Sequence, residues 1–431
     1  MIDLKYSLDE RPPAGETMLL GLQWFAIAVP VVVIIGKIAG EIHSGDPAAQ
    51  IVYLQKMAFV MAAALILQVF LGHRLPLIIG PSTVLLVGII ASREFSRSSV
   101  YTAIIAGGVL LSFLSAAGLF RYLRRLFTAR VVACVLLLIA FTLLPTSMNL
   151  IVKSPGHPAS QANVLFAFAL VAAIFALHRS LKGVWKATLI VWAMLGGTVL
   201  HLAVMPAAPE AASGAALFSG FLSDLTLELD FNPGVLISFI ICFMALSIND
   251  LGSIQSVNEL LKPGHEQGRI TRGIFLTGLA NVASGLLGVI GPVNFSLSPG
   301  VISSTGCASR YTLVPAAFLL LILSFSPALI LIAGRVPAVV VGSVFLYILC
   351  AQVAAGLSVI FESAERYQFT DGLIVGLPIL LGTLIAFLPP EATRAFPVMI
   401  RPVIGNGFVV GILAALFLEH VIFRGGIKKQ I

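Results

Sequence analysis

The sequence predicts an all-α polytopic membrane protein made of two oppositely inserted sets of seven spans, on three grounds. Its 431 residues are 58% hydrophobic and 10% charged, with a mean hydropathy of +1.04, too apolar for an ordinary soluble domain. Apolar blocks long enough to cross about 30 Å of hydrocarbon recur along the chain, with short polar joints between them. The blocks number about fourteen, divided seven and seven by a polar, acidic connector from Pro206 to Asn232.

The first seven segments start near Thr17, Ile51, Leu75, Ser99, Arg130, Gln161 and Val184. The second seven start near Gly234, Ile270, Val293, Thr312, Pro337, Asp371 and Pro402. An odd number in each half makes the second enter the membrane in the reverse orientation, which is an inverted repeat in outline. An even total puts both termini on one side, and the positive-inside rule identifies that side. With both ends cytoplasmic, the outer joints keep Lys37, Lys56, Arg93, Arg97, Lys153, Arg335, Arg394 and Arg401, while the other 18 of the 26 Lys and Arg residues fall inside. The connector acids Glu210, Asp224, Glu228 and Asp230 fall outside. The expected location is the inner (plasma) membrane, and the formal net charge of +7 reads as orientation in an anionic leaflet. No basic groove or motif points to nucleic acid.

The first residues, MIDLKYSLDERPPAGE, are too polar for a cleavable signal, so the first span is expected to act as its own insertion signal. Cys134, Cys242, Cys307 and Cys350 are scattered through apolar surroundings, which argues for core filler and against a disulfide frame or zinc site. No metal and no cofactor is expected. A membrane-embedded enzyme would need a convergent nucleophile, base or metal ligands, and the chain has no paired acids, His-x-x-His pattern or phosphate loop.

Chemistry is concentrated in two interrupted segments. The third reads LPLIIGPSTVLLVGIIAS and the tenth VNFSLSPGVISSTGCAS. Pro81 and Pro299 deny the backbone a donor, and Gly80 and Gly300 lower the cost of unusual dihedrals, so the chain can run extended and then begin a half-helix. Backbone groups freed in this way must find partners in neighbouring protein or in a polar ligand. The half-helix N-termini would aim N–H groups at the midplane, beside the hydroxyls of Ser82, Thr83, Ser296, Ser298, Ser303, Ser304 and Thr305. One such break also reads as a tolerated kink; a pair at matching positions of the two halves points to a transport site.

The eighth segment, MALSINDLGSIQSVNELL, adds a stripe in which Asn249, Asp250 and Ser253 share one side of a helix and Ser256 extends it. Asp250 is the acid farthest from a predicted membrane surface, which marks a substrate or ion pathway or, alternatively, an interhelical hydrogen-bond role. Other polar residues are weaker candidates. Trp24 beside Gln23 is expected at the interface, Lys56 is expected to snorkel outward as a structural residue, His201 and His420 near helix ends read as interface groups, and Gln352 is a buried amide opposite the site in the second half and a further candidate for it.

At these residues the chain resembles the nucleobase-ascorbate transporter family, which includes uracil and xanthine permeases. The resemblance runs along nearly the whole chain through GLQWFAIAVPVVV, RLPLIIGPSTVLLVGI, NDLGS and GLANVASGLLGVIGPVNFSLSPGVISSTGCASR. It implies short antiparallel strands in segments three and ten. It also implies a core domain from 17–120 and 234–334, a gate domain from 121–205 and 335–424, an extracellular connector at 206–233, elevator-like motion and a homodimer. It further implies a secondary transporter, a proton- or sodium-coupled symporter of a nucleobase such as a purine or uracil. The substrate would lie among Ser82, Thr83, Asn249, Ser253, Phe295, Ser296, Leu297, Ser298 and Gly300. The chain departs from the family at two carboxylates that usually bind the base. Asn249 stands at the segment-eight glutamate position, and Leu297 stands where segment ten carries an acid or amide. Asp250, one position along, is then the candidate for proton coupling. The missing acids also suit an alternative, a sulfate-permease-like anion transporter of related architecture.

Overall fold

Local sequence starts several of the helices. In the computed structural model, which describes residues 4–119, 125–152, 161–204, 216–221, 228–295, 298–363, 368–397 and 399–423, the first half opens with α1 (Ala14–His43) and α2 (Pro47–Phe70). The Asp46 carboxylate caps α2 by accepting from the Ala48 and Ala49 N–H groups, and Pro47 begins the helix where no intrahelical donor is needed. Strand β1 (Ile79–Pro81) leads into α3 (Thr83–Ala91), followed by α4 (Arg97–Ala116), α5 (Ala129–Val152), α6 (Gln161–Ser180) and α7 (Leu189–Val204). The second half repeats the order: α8 (Pro233–Leu261) capped by Asn232, α9 (Glu266–Leu287), β2 (Pro292–Asn294), α10 (Ser298–Thr305), α11 (Leu313–Ser324), α12 (Ala338–Ser363), α13 (Phe369–Ala386) and α14 (Gly407–Phe417) capped by Asn406.

Among the described residues nine helices are long and apolar enough to cross a membrane. Three shorter apolar helices, Leu189–Val204, Arg310–Ser324 and Gly407–Ile422, and the two strand-plus-half-helix segments occupy the remaining predicted spans. The third and tenth segments are broken where Pro and Gly fall, and their strands pair antiparallel with Ile79 opposite Asn294, Gly80 opposite Val293 and Pro81 opposite Pro292. The fold is a seven-plus-seven inverted repeat.

Small residues set the closest helix approaches, as membrane packing favours. Where α4 crosses α9, a Cβ on Gly108 would meet the Gly278 carbonyl at 2.7 Å, and one on Gly285 would meet the Tyr101 carbonyl at 2.9 Å. Where α13 crosses α14, a Cβ on Gly407 would lie 2.1 Å from the Gly382 carbonyl. Helices α1 to α4 pack mainly with α8, α9 and α11, whereas α5 packs with α12, α13 and α14.

Polar contacts sort the joints onto two faces. On one, residues 5–10 lie along the α10–α11 link: Lys5 N–H donates to the Gly306 carbonyl at 2.7 Å, Ala308 N–H donates to the Tyr6 carbonyl at 2.9 Å, and Arg310 pairs with Asp9 at 2.8 Å. Arg310 also donates to the Val69 carbonyl, and Arg269 to the His73 and Arg74 carbonyls. On the other face, Glu94 pairs with Arg394 and Arg401, Lys37 donates to the Val336 carbonyl, and the connector docks onto α4 through Asp230, which accepts from the Ser96 and Ser99 hydroxyls. Connector residue Phe221 is buried against Phe59 and Phe325.

Three side chains depart from expectation. Trp24 is buried rather than interfacial, and its indole N–H donates to Thr312 Oγ1 at 3.1 Å. Lys56 is buried rather than extended to the outer surface. Cys350 is exposed, while Cys134, Cys242 and Cys307 are buried. Each difference depends on which way a helix faces its neighbours, which periodicity in an almost wholly apolar stretch does not reveal.

Candidate functional site

The site is built around the β1–β2 ribbon. Three residues of strand cover about 10 Å, so the N-termini of α3 and α10 lie at the two ends of a short antiparallel ladder and leave it in opposite directions. At one end Ser82 N–H donates to the Gly291 carbonyl at 2.9 Å, and the Ser82 hydroxyl caps α3 by accepting from Leu85 N–H at 3.3 Å. At the other, the Ser298 hydroxyl accepts from Ile78 N–H at 3.1 Å and donates to the Phe295 carbonyl at 3.2 Å. The breaks therefore satisfy much of their own backbone, as an apolar surround demands.

The ribbon is anchored to its neighbours by buried polar side chains. Ser253 Oγ donates to the Asn294 carbonyl at 2.9 Å, and Asn281 Nδ2 on α9 donates to the Pro292 carbonyl at 3.0 Å. Asp250 is fully buried. Its Oδ1 accepts from the Asn294 backbone N–H at 2.9 Å and from Asn294 Nδ2 at 2.6 Å, and its Oδ2 accepts from the Thr277 hydroxyl at 2.8 Å. Gln68 Nε2 in turn donates to Thr277 Oγ1, and His73 Nε2 lies 3.2 Å from Asn294 Oδ1.

The predicted residues separate by environment. Ser82, Ser253 and Ser298 are fully buried, and the bonds just described engage their hydroxyls. Asn249 and Thr83 are half-buried, and Gly300, like Gly252 three residues beyond Asn249, is exposed with no atom within 4 Å of where a Cβ would stand. Phe295 is half-buried, and its ring lies against Gly80, where a Cβ would come within 2.2 Å of the ring. Ser296 and Leu297 lie outside the described residues. Asp250 is deep, as expected, and makes the interhelical hydrogen bonds of the alternative reading.

Sequence reasoning missed Gln68, His73, Thr277, Asn281 and Asn294. A signal was present for the α9 pair, since Thr277 and Asn281 stand four apart on one helical face of an apolar span. His73 carried none, because beside Arg74 in a joint it reads as a surface residue.

The family model of the xanthine/uracil permeases, described as Permease family, matches residues 15–391. The xanthine permease of Bacillus subtilis (strain 168) is 25% identical over 422 residues, covering 94% of this chain and 94% of that protein. The uric acid permease PucK of the same organism is 25% identical over 97% of each chain. A putative purine permease of Clostridium perfringens (strain 13 / Type A) is 24% identical over 98% of this chain and 93% of its own length. Among solved structures, the transmembrane domain of a cyanobacterium bicarbonate transporter, BicA, superposes with a TM-score of 0.65 at 16% identity, covering 89% of this chain and 98% of that one. The murine Slc26a9 anion transporter in the inward-facing state gives 0.63 at 12% identity over 97% of this chain and 70% of that one. The two structures share the inverted-repeat fold, while the sequence match reaches through both halves of the ribbon; the chain belongs to the xanthine/uracil permease family, a multi-pass membrane transporter and not an enzyme.

Proposed function

We propose that this permease is a secondary active transporter of a nucleobase, a purine or uracil, bound beside the β1–β2 ribbon and driven by proton uptake at Asp250. The observation that carries the reading is the grip of a buried carboxylate on Asn294, the last residue of β2, just before Phe295. A group whose charge sets its hydrogen bonds to the ribbon can link protonation to the shape of the pocket. The base would stack on Phe295, meet Asn249, Thr83 and the open faces at Gly252 and Gly300, and take a partial positive field from the N-termini of α3 and α10. Ser82, Ser253 and Ser298 would support the strands from behind. The xanthine and uric acid permeases among its relatives support this substrate class.

In the same reading, 17–120 and 234–334 form a core that moves against a gate of 121–205 and 335–424, with both termini cytoplasmic, 206–233 outside and two chains paired through their gates. The division of packing between α1 to α4 with α8, α9 and α11 on one side, and α5 with α12 to α14 on the other, supports it. A second reading, transport of an inorganic anion, is favoured by one feature: Asp250, the acid at the ribbon, already has both oxygens hydrogen-bonded within the protein. Uptake into proteoliposomes of radiolabelled xanthine, urate and uracil against sulfate and bicarbonate, with and without a pH gradient, separates the two. Saturable base uptake that rises with an inward proton gradient is expected, and uptake of sulfate or bicarbonate alone would replace the proposal with the second reading.

A further inference from the structure

His73 and Asn294 are not among the residues that resemblance or kinship assigns to the site, yet they complete a buried chain that ends on Asp250. His73 Nδ1 accepts from the Leu75 backbone N–H at 3.0 Å. A backbone N–H can only donate, so Nδ1 is an acceptor and the ring proton resides on Nε2. That proton points at Asn294 Oδ1, 3.2 Å away. The amide of Asn294 is thereby oriented: its oxygen must face His73, and its NH2 must face Asp250 Oδ1, 2.6 Å away. His73 is held in turn by the Gln68 Oε1 that accepts from its backbone N–H, and by Arg269, which donates to its carbonyl. Both His73 and Asn294 are at most 1% exposed.

This orientation bears on what Asp250 can do. Ionised, it is an acceptor only, and Asn294 and Thr277 supply donors to both oxygens. A proton arriving on Oδ1 would confront two N–H groups; one arriving on Oδ2 can be accepted by the Thr277 hydroxyl, which keeps a lone pair beside its bond from Gln68 at 3.1 Å, and Oδ1 is then a neutral carbonyl whose bonds from Asn294 lose their charge assistance. Were the Asn294 amide free to turn over, its oxygen could accept from the protonated acid and strand β2 could stay in place. With His73 in position it is not free, so protonation must weaken the bonds between Asp250 and β2.

We propose that Asn294, oriented by His73, is the positioning residue that converts protonation of Asp250 into release of strand β2 and of Phe295 at its end. The inference rests on the proposed proton coupling at Asp250. Among the described residues, the charged and titratable side chains bonded to the chain are Asp250 on α8, His73 between α2 and β1, and Arg269 on α9, which donates to the His73 carbonyl; Asn294 and Thr277 are neutral.

The test compares wild type with His73→Phe and His73→Gln in proteoliposomes, measuring xanthine accumulation under a pH gradient, xanthine counterflow without one, and equilibrium xanthine binding. Phe removes the donor that orients Asn294, and Gln restores one. Expected for His73→Phe are a fall in gradient-driven accumulation of about tenfold, counterflow and binding within about twofold of wild type, and a displaced pH profile of uptake. His73→Gln should recover most of the accumulation. An unchanged accumulation and pH profile in His73→Phe overturns the proposal, as does an equal loss of binding, counterflow and accumulation in both variants, which would mark a purely structural residue. If His73→Phe does not fold, Asn294→Ser, which keeps the backbone N–H bond but has no amide to orient, replaces it with the same expected split. Wild-type uptake indifferent to the gradient would instead remove the coupling reading beneath the proposal, while binding of xanthine by that protein would leave the substrate assignment standing.

Discussion

Asn294 gives Asp250 two hydrogen bonds, one from its backbone at 2.9 Å and one from its side chain at 2.6 Å, so the middle of α8 and the end of β2 are joined through a single carboxylate oxygen. The transport chemistry proposed for this permease depends on that joint changing with proton occupancy.

Replacing Asp250 with Asn keeps an oxygen that can accept from Asn294 but abolishes the change of charge. Proton-driven accumulation should fall to the level of passive exchange while counterflow persists. Comparing net uptake with counterflow in the same vesicles checks it, and unaltered proton-driven uptake would remove Asp250 from the coupling role.

Gly80 leaves room for the Phe295 ring, which a Cβ would approach to 2.2 Å. Gly80→Ala should displace that ring rather than unfold the ribbon, because the neighbour that must yield is the far edge of a half-buried side chain. An affinity loss of about tenfold with near-normal expression and thermal stability is expected, read by equilibrium binding and thermal unfolding.

Helices α5, α13 and α14 meet at Arg130 on α5, which pairs with Asp371 at the start of α13 at 2.6 Å and with Glu419 just beyond α14 at 3.1 Å. The Glu419 side chain is completely buried. Arg130→Met leaves that charge uncompensated and should cost about 3–5 kcal/mol, whereas Arg130→Met combined with Glu419→Gln should recover a substantial part. Thermal unfolding of the detergent-solubilised variants measures both.

On the connector face, hydrogen bonds from Ser96 and then Ser99 hold the Asp230 carboxyl below its ordinary pKa of 3.8. A group depressed in the folded protein stabilises it fully above the unfolded value and loses that contribution as pH falls through the folded value. The connector's hold on α4 should therefore be constant at neutral pH and weaken only below about 3.8. Asp230→Asn should flatten the acid end of a pH series of unfolding temperatures while leaving the neutral end almost unchanged.

Gly407→Ala tests the close packing of α13 on α14. Its Cβ would fall 2.1 Å from the Gly382 carbonyl and 3.1 Å from the Ala386 nitrogen, both backbone, so α13 and α14 must separate. A loss of about 1–3 kcal/mol or more is expected by thermal unfolding.

The features legible along the chain follow one-dimensional physics. Apolar blocks of spanning length dictate helices, because backbone polar groups in hydrocarbon must bond within their own segment. An odd number of blocks in each half dictates reversed insertion. Gly80, Pro81, Pro299 and Gly300 mark where two helices cannot continue. The depth of Asp250 followed from its place in α8, and the structure buries it completely.

The contacts of that acid arise only on folding. The partners of Asp250 lie 27 and 44 residues away, and His73 is 221 residues from Asn294, distances over which a sequence carries no pairing signal of its own. The same holds for which hydroxyls remain open to a ligand. Ser82, Ser253 and Ser298 looked equivalent to Thr83 and Asn249 along the chain, but folding engages the three hydroxyls in bonds to backbone N–H and carbonyl groups that the breaks leave exposed. In a medium without water those groups must be satisfied from within the protein, so the architecture that creates the site also consumes part of its polar chemistry.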